Sequence, residues 1–178
     1  MQTGLTDSEG TFLSLVLRCQ PITTYEVAKI YAASPVSGFN TSPGKLYPLV
    51  RRLRERGLIA AEPAPDDGRG TERLSCTESG RSEVRAWVLE MRPAHLLLED
   101  PLRTKISALN LLTADERLRW AATALAALNA KLDEIEDYAK ATETPFGDLV
   151  RQNAVLSLSA RMEWLNEVII ALAQEKNP

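Results

Sequence analysis

The sequence predicts a mostly α-helical protein with one small β-hairpin, its short helices in the first half and its long ones in the second. Three observations support this. Helix-start signals recur along the 178-residue chain, a single strand-like stretch lies between Gly57 and Thr77, and two apolar stripes fill the region after Pro93.

The starts are local chemistry. Thr6 to Glu9, Thr23 to Glu26 and Thr113 to Glu116 each fit the capping box, in which a hydroxyl and a carboxylate three residues apart satisfy two orphan backbone N–H groups. Ser42-Pro43, Asp100-Pro101 and Thr144-Pro145 put a capping side chain before a proline, whose missing N–H costs nothing at the first helical position. Thr77 before Glu78 marks a further start. Gln20-Pro21 closes the first helix, Gly57 the third and Arg92-Pro93 the fourth. Residues 58–62 and 71–76 flank a Pro/Asp/Gly-rich stretch at 63–70, the pattern of a hairpin with a long exposed, mobile tip.

Helix, helix, helix, hairpin, helix is the element order of a winged helix. The fold class is therefore an N-terminal winged helix-turn-helix domain over residues 1–92 and a C-terminal antiparallel, coiled-coil-like helical dimerisation domain over 93–178. One stripe of that second domain runs through Leu118, Ala121, Leu125, Leu128, Leu132, Ile135 and Ala139; another runs through Val155, Leu158, Met162, Leu165, Ile169 and Leu172. Each stripe spans roughly 25–30 Å at the helical rise, which suits pairing of the two helices and contact with a second chain. The leucines, isoleucines and Met162 of the two stripes are the candidate dimerisation residues.

Composition narrows the function. With 44% hydrophobic and 25% charged residues the chain is globular, and no apolar run reaches membrane-spanning length, which suits a cytoplasmic protein. A single histidine, His95, and two cysteines, Cys19 and Cys76, outside any Cys-x-x-Cys pair leave no metal site, cofactor or disulfide framework. Asp67-Gly68-Arg69-Gly70 lacks the phosphate-loop pattern and reads as a turn. Without an oriented histidine base no hydrolase triad forms, and an enzyme is the weakest reading.

Charge points elsewhere. Residues 1–92 hold 12 basic and 11 acidic side chains, residues 93–178 hold 9 and 13. Within that acidic protein, residues 45–56 carry five basic side chains (Lys45, Arg51, Arg52, Arg54, Arg56) against Glu55 alone. Leu46, Leu49, Val50 and Leu53 form the core face of the third helix. Its opposite face centres on Gly44, Pro48 and Arg51, flanked by Lys45, Tyr47 and Arg52. Guanidinium forks, an ammonium and a phenol on one face suit base edges and phosphates of DNA. Arg69 and Arg73 add charge at the hairpin, while Asp66, Asp67 and Glu72 subtract it.

Three segments resemble the PadR-type transcriptional regulators: Gln-Pro-Ile-Thr-Thr-Tyr-Glu-Val from Gln20, Thr-Ser-Pro-Gly-Lys-Leu-Tyr-Pro-Leu-Val-Arg-Arg-Leu-Arg-Glu-Arg-Gly-Leu-Ile from Thr41, and Arg-Leu-Ser-Cys-Thr-Glu-Ser-Gly-Arg from Arg73. The resemblance covers residues 5–92; the tail resembles the larger PadR subfamily by length and pattern. One departure is Thr23-Thr24-Tyr25 where the family has His-Gly-Tyr. Propensity alone starts the third helix after Pro48, whereas the family's Tyr-Pro dipeptide implies that the first turn tolerates it. The resemblance implies a homodimeric DNA-binding repressor on a roughly palindromic operator, with DNA contacts at Tyr25, Thr41, Ser42, Gly44, Lys45, Tyr47, Pro48, Arg51, Arg52, Arg69 and Arg73. It also implies a small aromatic effector, for which Trp87, Trp120 and Trp164 on three helices are the candidate pocket near the 92–101 linker. The alternative is a protein–protein adaptor that keeps the winged-helix scaffold without binding DNA.

Overall fold

The computed structural model describes residues 4–35, 43–64, 71–96 and 99–176. The chain divides into two compact units, Met1–Leu96 and Leu97–Pro178. The boundary expected at 92/93 falls four residues earlier.

In the first unit, α1 (Asp7–Cys19), α2 (Thr24–Ala33) and α3 (Pro43–Glu55) precede strands β2 (Ile59–Pro63) and β3 (Glu72–Cys76) and helix α4 (Glu78–Leu89). Thr6 and Thr23 form complete capping boxes with Glu9 and Glu26, and the Thr77 hydroxyl accepts the Gly80 N–H. The element that sequence reasoning missed is β1 (Ile22–Thr23), which pairs antiparallel with β3 and makes the hairpin a three-stranded sheet in the order β1-β3-β2. Its register sets Ile22 opposite Leu74 and Thr23 opposite Arg73; on the other side Ala61 faces Leu74 and Glu62 faces Arg73. Leu74 and Cys76 alternate inward with period two onto a core built from Phe12, Leu13, Val16, Val27 and Ile59.

Helix α3 begins at Pro43 and contains Pro48, so the later start that propensity gives is wrong. Gly44 and Pro48 are both exposed, so the Gly44 carbonyl that the proline leaves without its intrahelical donor is open to solvent. Leu46, Leu49 and Leu53 are buried with Val50 packed beside them, as the spacing requires. Gly57, at φ 68°, ends the helix in the left-handed conformation that glycine adopts without strain. The hairpin tip and Ser42 lie outside the described residues.

After α4 come a short turn of helix, α5 (Pro93–Leu96), where a plain linker was expected, and then α6 (Pro101–Ile106), capped by Asp100, and a 3₁₀ turn at Leu109–Leu111. The second unit is dominated by α7 (Ala114–Ala141), with its Thr113–Glu116 capping box, and α8 (Gly147–Lys176). The start expected at Thr144-Pro145 is displaced to Gly147. Phe146 adopts φ 56° and the Gly147 N–H donates to the Thr144 carbonyl at 2.9 Å, so a turn precedes the helix. The two helices pack on each other through Leu128, Ile135, Leu158 and Leu165, joined by Leu125, Leu132 and Met162. Arg161 grips Asp100 with two hydrogen bonds, 2.9 and 2.6 Å, fixing the start of α6 to α8.

Candidate nucleic-acid interface

Helix α3 presents Gly44, Lys45, Tyr47, Pro48 and Arg51, all exposed, on the face opposite its buried leucines. Tyr47 is 62% exposed, and Tyr25, at the start of α2, is 75% exposed. Exposed phenols of this size at helix surfaces offer both an aromatic face and a hydroxyl donor. Thr41, Ser42 and Arg69, the other expected contacts, lie outside the described residues. Arg73 is exposed in the middle of β3, across from Thr23 and Glu62.

The five basic side chains of residues 45–56 are unequal. Arg52 Nε lies 3.6 Å from the carboxylate of Glu9, a side chain 6% exposed in α1, and Arg56 Nη1 donates to the same carboxylate at 3.2 Å. Arg54 Nη1 donates to both oxygens of Glu72 in β3, each at 3.1 Å. Arg51 has, among the described residues, Glu55 at 3.7 Å, one helical turn on, with both side chains well exposed. Such surface pairs contribute about 0–1 kcal/mol and yield readily to a phosphate. Lys45 has no ion pair among the described residues. The charge imbalance seen along the chain is thus largely neutralised in space, and Arg52, half exposed, faces the buried Glu9 carboxylate from α3.

Burial pushes the Glu9 pKa up, but the Thr6 backbone N–H, Arg56, the Thr6 hydroxyl and Arg52 outweigh it and hold the carboxyl below its ordinary value. Glu26 is likewise held low by the backbone and hydroxyl of Thr23, with Arg73 contributing. Both acids therefore carry full charge at neutral pH.

The aromatic candidates are placed as follows. Trp87 in α4 stacks on α1 at Gly10, where an added Cβ would lie 2.3 Å from the ring, and its indole N–H donates to Asp7 at 2.9 Å. His95 Nε2 meets the same Asp7 oxygen at 3.2 Å. Trp120 and Trp164 pack partly buried against the α7–α8 core. Trp120 also lines an open groove of about 480 Å³ with Leu102, Lys105, Leu112, Glu116 and Arg119. Cys19 and Cys76 are free thiols, Cys76 buried and its pKa raised by that burial. No group of three or more His, Cys, Asp or Glu among the described residues is placed to hold a metal ion. No described helix is long and apolar enough to cross a membrane.

A winged helix-turn-helix whose third helix displays an exposed polar and basic face, followed by a long helical hairpin, defines a class of DNA-binding regulatory proteins. Residues 12–86 match the transcriptional regulator PadR-like family. Bacillus subtilis PadR, solved in complex with operator DNA, superposes with TM-score 0.77 at 18% identity, over 94% of this chain and 99% of that one. A PadR-like transcriptional regulator from Bacillus cereus gives 0.72 at 16% identity, over 97% and 99%. Bacillus subtilis PadR in complex with p-coumaric acid gives 0.75 at 17% identity, over 93% and 98%. No curated protein matches the sequence. The chain resembles the PadR-family transcriptional regulators in the fold of its winged helix-turn-helix and its C-terminal helical region.

Proposed function

We propose that the protein is a homodimeric transcriptional repressor that reads a roughly palindromic operator with the exposed face of α3 and is tuned by a small aromatic ligand. The observation that carries this reading is the exposed face of Gly44, Lys45, Tyr47, Pro48 and Arg51, whose two cations are the least engaged of the α3 set. Arg51 reads a base edge, Lys45 a phosphate, and Tyr25 and Arg73 flank them. Thr41, Ser42 and Arg69 complete the contact set, and Arg52 contributes through its position on the helix rather than as a free cation.

Dimerisation follows from α8. Leu158 and Leu165 are buried against α7, while Leu149, Val150, Leu156 and Ile170 on the same helix are exposed, so the helix is apolar on more than the side its partner covers. A second copy covers that surplus, with Leu118, Ile169 and Leu172 at its margins, and sets two recognition helices about one DNA turn, roughly 34 Å, or a multiple of it apart. The groove beside Trp120 fits an aromatic ligand: it has an indole, leucines and the cations Lys105 and Arg119, in the size range of small-molecule sites. The structures of PadR on operator DNA and with p-coumaric acid support both parts of the reading. Trp164, packed on the same α7–α8 core, stands as a secondary ligand contact; Trp87 belongs to the first unit, where it is hydrogen-bonded to Asp7.

The test is selection of bound sites from a random DNA pool, then anisotropy titrations on the selected duplex. Arg51→Ala is expected to weaken that binding by about 1–3 kcal/mol with relaxed sequence preference, and Lys45→Ala to weaken all sequences and flatten the salt slope by about one unit. No enrichment from the pool, with folded protein, overturns the reading in favour of a DNA-free adaptor.

A further inference from the structure

Glu9 is an unusual residue for its place. It is 6% exposed in the first turn of α1, yet its carboxylate is ionised and faces a helix 43 and 47 residues away in sequence. One oxygen accepts the Thr6 backbone N–H at 3.0 Å and the Arg56 guanidinium at 3.2 Å; the other lies 3.6 Å from Arg52 Nε. Capping α1 requires only the first of these contacts. The two arginines are an addition that the cap does not explain. Arg56 is flanked by a second carboxylate, Glu83 of α4, at 3.8 Å. A shielded acid facing two guanidiniums is costly to strip of its partners, because a carboxylate left unpaired in a buried place loses hydration without compensation. The pair Arg51–Glu55, by contrast, is solvated on both sides and separates at little cost.

We infer that Glu9 is a positioning and selectivity residue for DNA recognition: from α1 it clamps Arg52 and Arg56, orients α3, and withholds two cations from the phosphate backbone. This rests on the DNA-binding reading above. Two consequences follow from electrostatics. Sequence-independent affinity grows with the number of phosphates neutralised, and each free arginine adds about 0.9 to the slope of log K against log salt. Holding Arg52 and Arg56 on Glu9 therefore lowers binding to unrelated DNA, while Lys45, Tyr47 and Arg51 on the exposed face of α3 are left outside the clamp. Specificity is a ratio, and the acid raises it by weakening the denominator.

The experiment uses the full chain, the selected duplex, an unrelated duplex and a salt series. Glu9→Gln retains an oxygen for the Thr6 N–H and removes the charge. It is expected to steepen the salt slope on unrelated DNA by one to two units, to tighten that binding several-fold at low salt, and to reduce the ratio of specific to non-specific affinity. A purely structural role for Glu9 weakens both duplexes together and does not steepen the slope. The double variant R52Q/R56Q provides the second reading and does not depend on the stability of Glu9→Gln: its slope is expected within half a unit of the parent. A slope that is unchanged or flatter in Glu9→Gln, or about two units flatter in R52Q/R56Q, overturns the clamp. A parent protein that binds neither duplex overturns the DNA reading, and the clamp's role falls with it. A parent that binds and a variant that leaves the slope alone removes only the clamp.

Discussion

Substituting Gly80 by alanine sets two opposed effects against each other. In an exposed helix, replacing glycine by alanine gains up to about 1 kcal/mol from reduced freedom of the unfolded chain. Here the new Cβ would lie 2.2 Å from the Leu58 carbonyl oxygen and 2.7 Å from Cys76 Sγ. Ordinary contact begins near 3.5 Å, so α4 and the start of β2 must separate by more than about 1 Å. That carbonyl accepts the Thr77 N–H at 3.1 Å, and the Thr77 hydroxyl donates to the Gly57 carbonyl at 2.8 Å, so backbone bonds joining the end of α3 to the start of α4 stretch with it. Overpacking of about 1–3 kcal/mol and roughly 1 kcal/mol for a weakened hydrogen bond exceed the propensity gain, leaving a net loss of about 1–3 kcal/mol. For a unit of this size each kcal/mol lowers Tm by roughly 4–8 °C. Urea and thermal unfolding of the full chain by circular dichroism measure it, with Gly57→Ala as the comparison. Gly57 has open space around its Cβ position and φ 68°, so its cost is conformational, about 1–2 kcal/mol. A Gly80→Ala protein at least as stable as the parent refutes the packing argument.

Arg161→Met removes both hydrogen bonds to Asp100 and is expected to destabilise the second unit by about 1–2 kcal/mol at neutral pH, the charge-assisted range reduced for partial exposure. The hydrogen bond from Arg161 is the main reason the Asp100 carboxyl sits below its ordinary value, so its contribution is present above the unfolded value of about 3.9 and is lost as pH falls through the lower folded value. The parent therefore loses stability in this acid window faster than Arg161→Met does; equal acid slopes in urea titrations at pH 2–6 count against the pair. Leu156→Asp and Ile170→Asp, on the exposed side of α8, are expected to shift a dimer toward monomer in sedimentation velocity with helix content unchanged. A parent that sediments as a monomer, or variants that stay dimeric, contradict the placement of that interface on α8.

The parts of the fold that were legible in the sequence are those settled by neighbours in sequence. Three capping boxes, the Thr77 cap and the Asp100 cap each lie within three residues, and all five form. The leucine spacing of α3 and the two stripes of α7 and α8 are likewise periodic features of single helices. Strand β1 was not legible. Two residues carry no period, and Ile22 becomes a strand only because Leu74, 52 residues on, offers it a partner. Nor was the start of α8, where a proline after a threonine signals a first turn but Phe146 reverses the chain instead.

Electrostatics shows the same division at the candidate site. The exposed face of α3 follows from 100° per residue and needs no tertiary information, so Lys45, Tyr47 and Arg51 were found from spacing alone. What spacing could not supply is which cations remain available. Glu72 reaches Arg54 from 18 residues away and Glu9 reaches Arg56 from 47, and neither lies in a window that a local charge count includes. Judged by sequence alone, the five basic residues of 45–56 make α3 and its end look like a strong, indiscriminate polyanion binder. Folded, its C-terminal arginines are engaged by acids of α1, β3 and α4, which couple the helix to the body of the domain. Among the described residues these acids leave Lys45 and Arg51 the least engaged cations, on the face that also presents Tyr47, Gly44 and Pro48. Charge is thereby placed where side chains of mixed chemistry stand together, the arrangement that base discrimination needs and that non-specific binding does not.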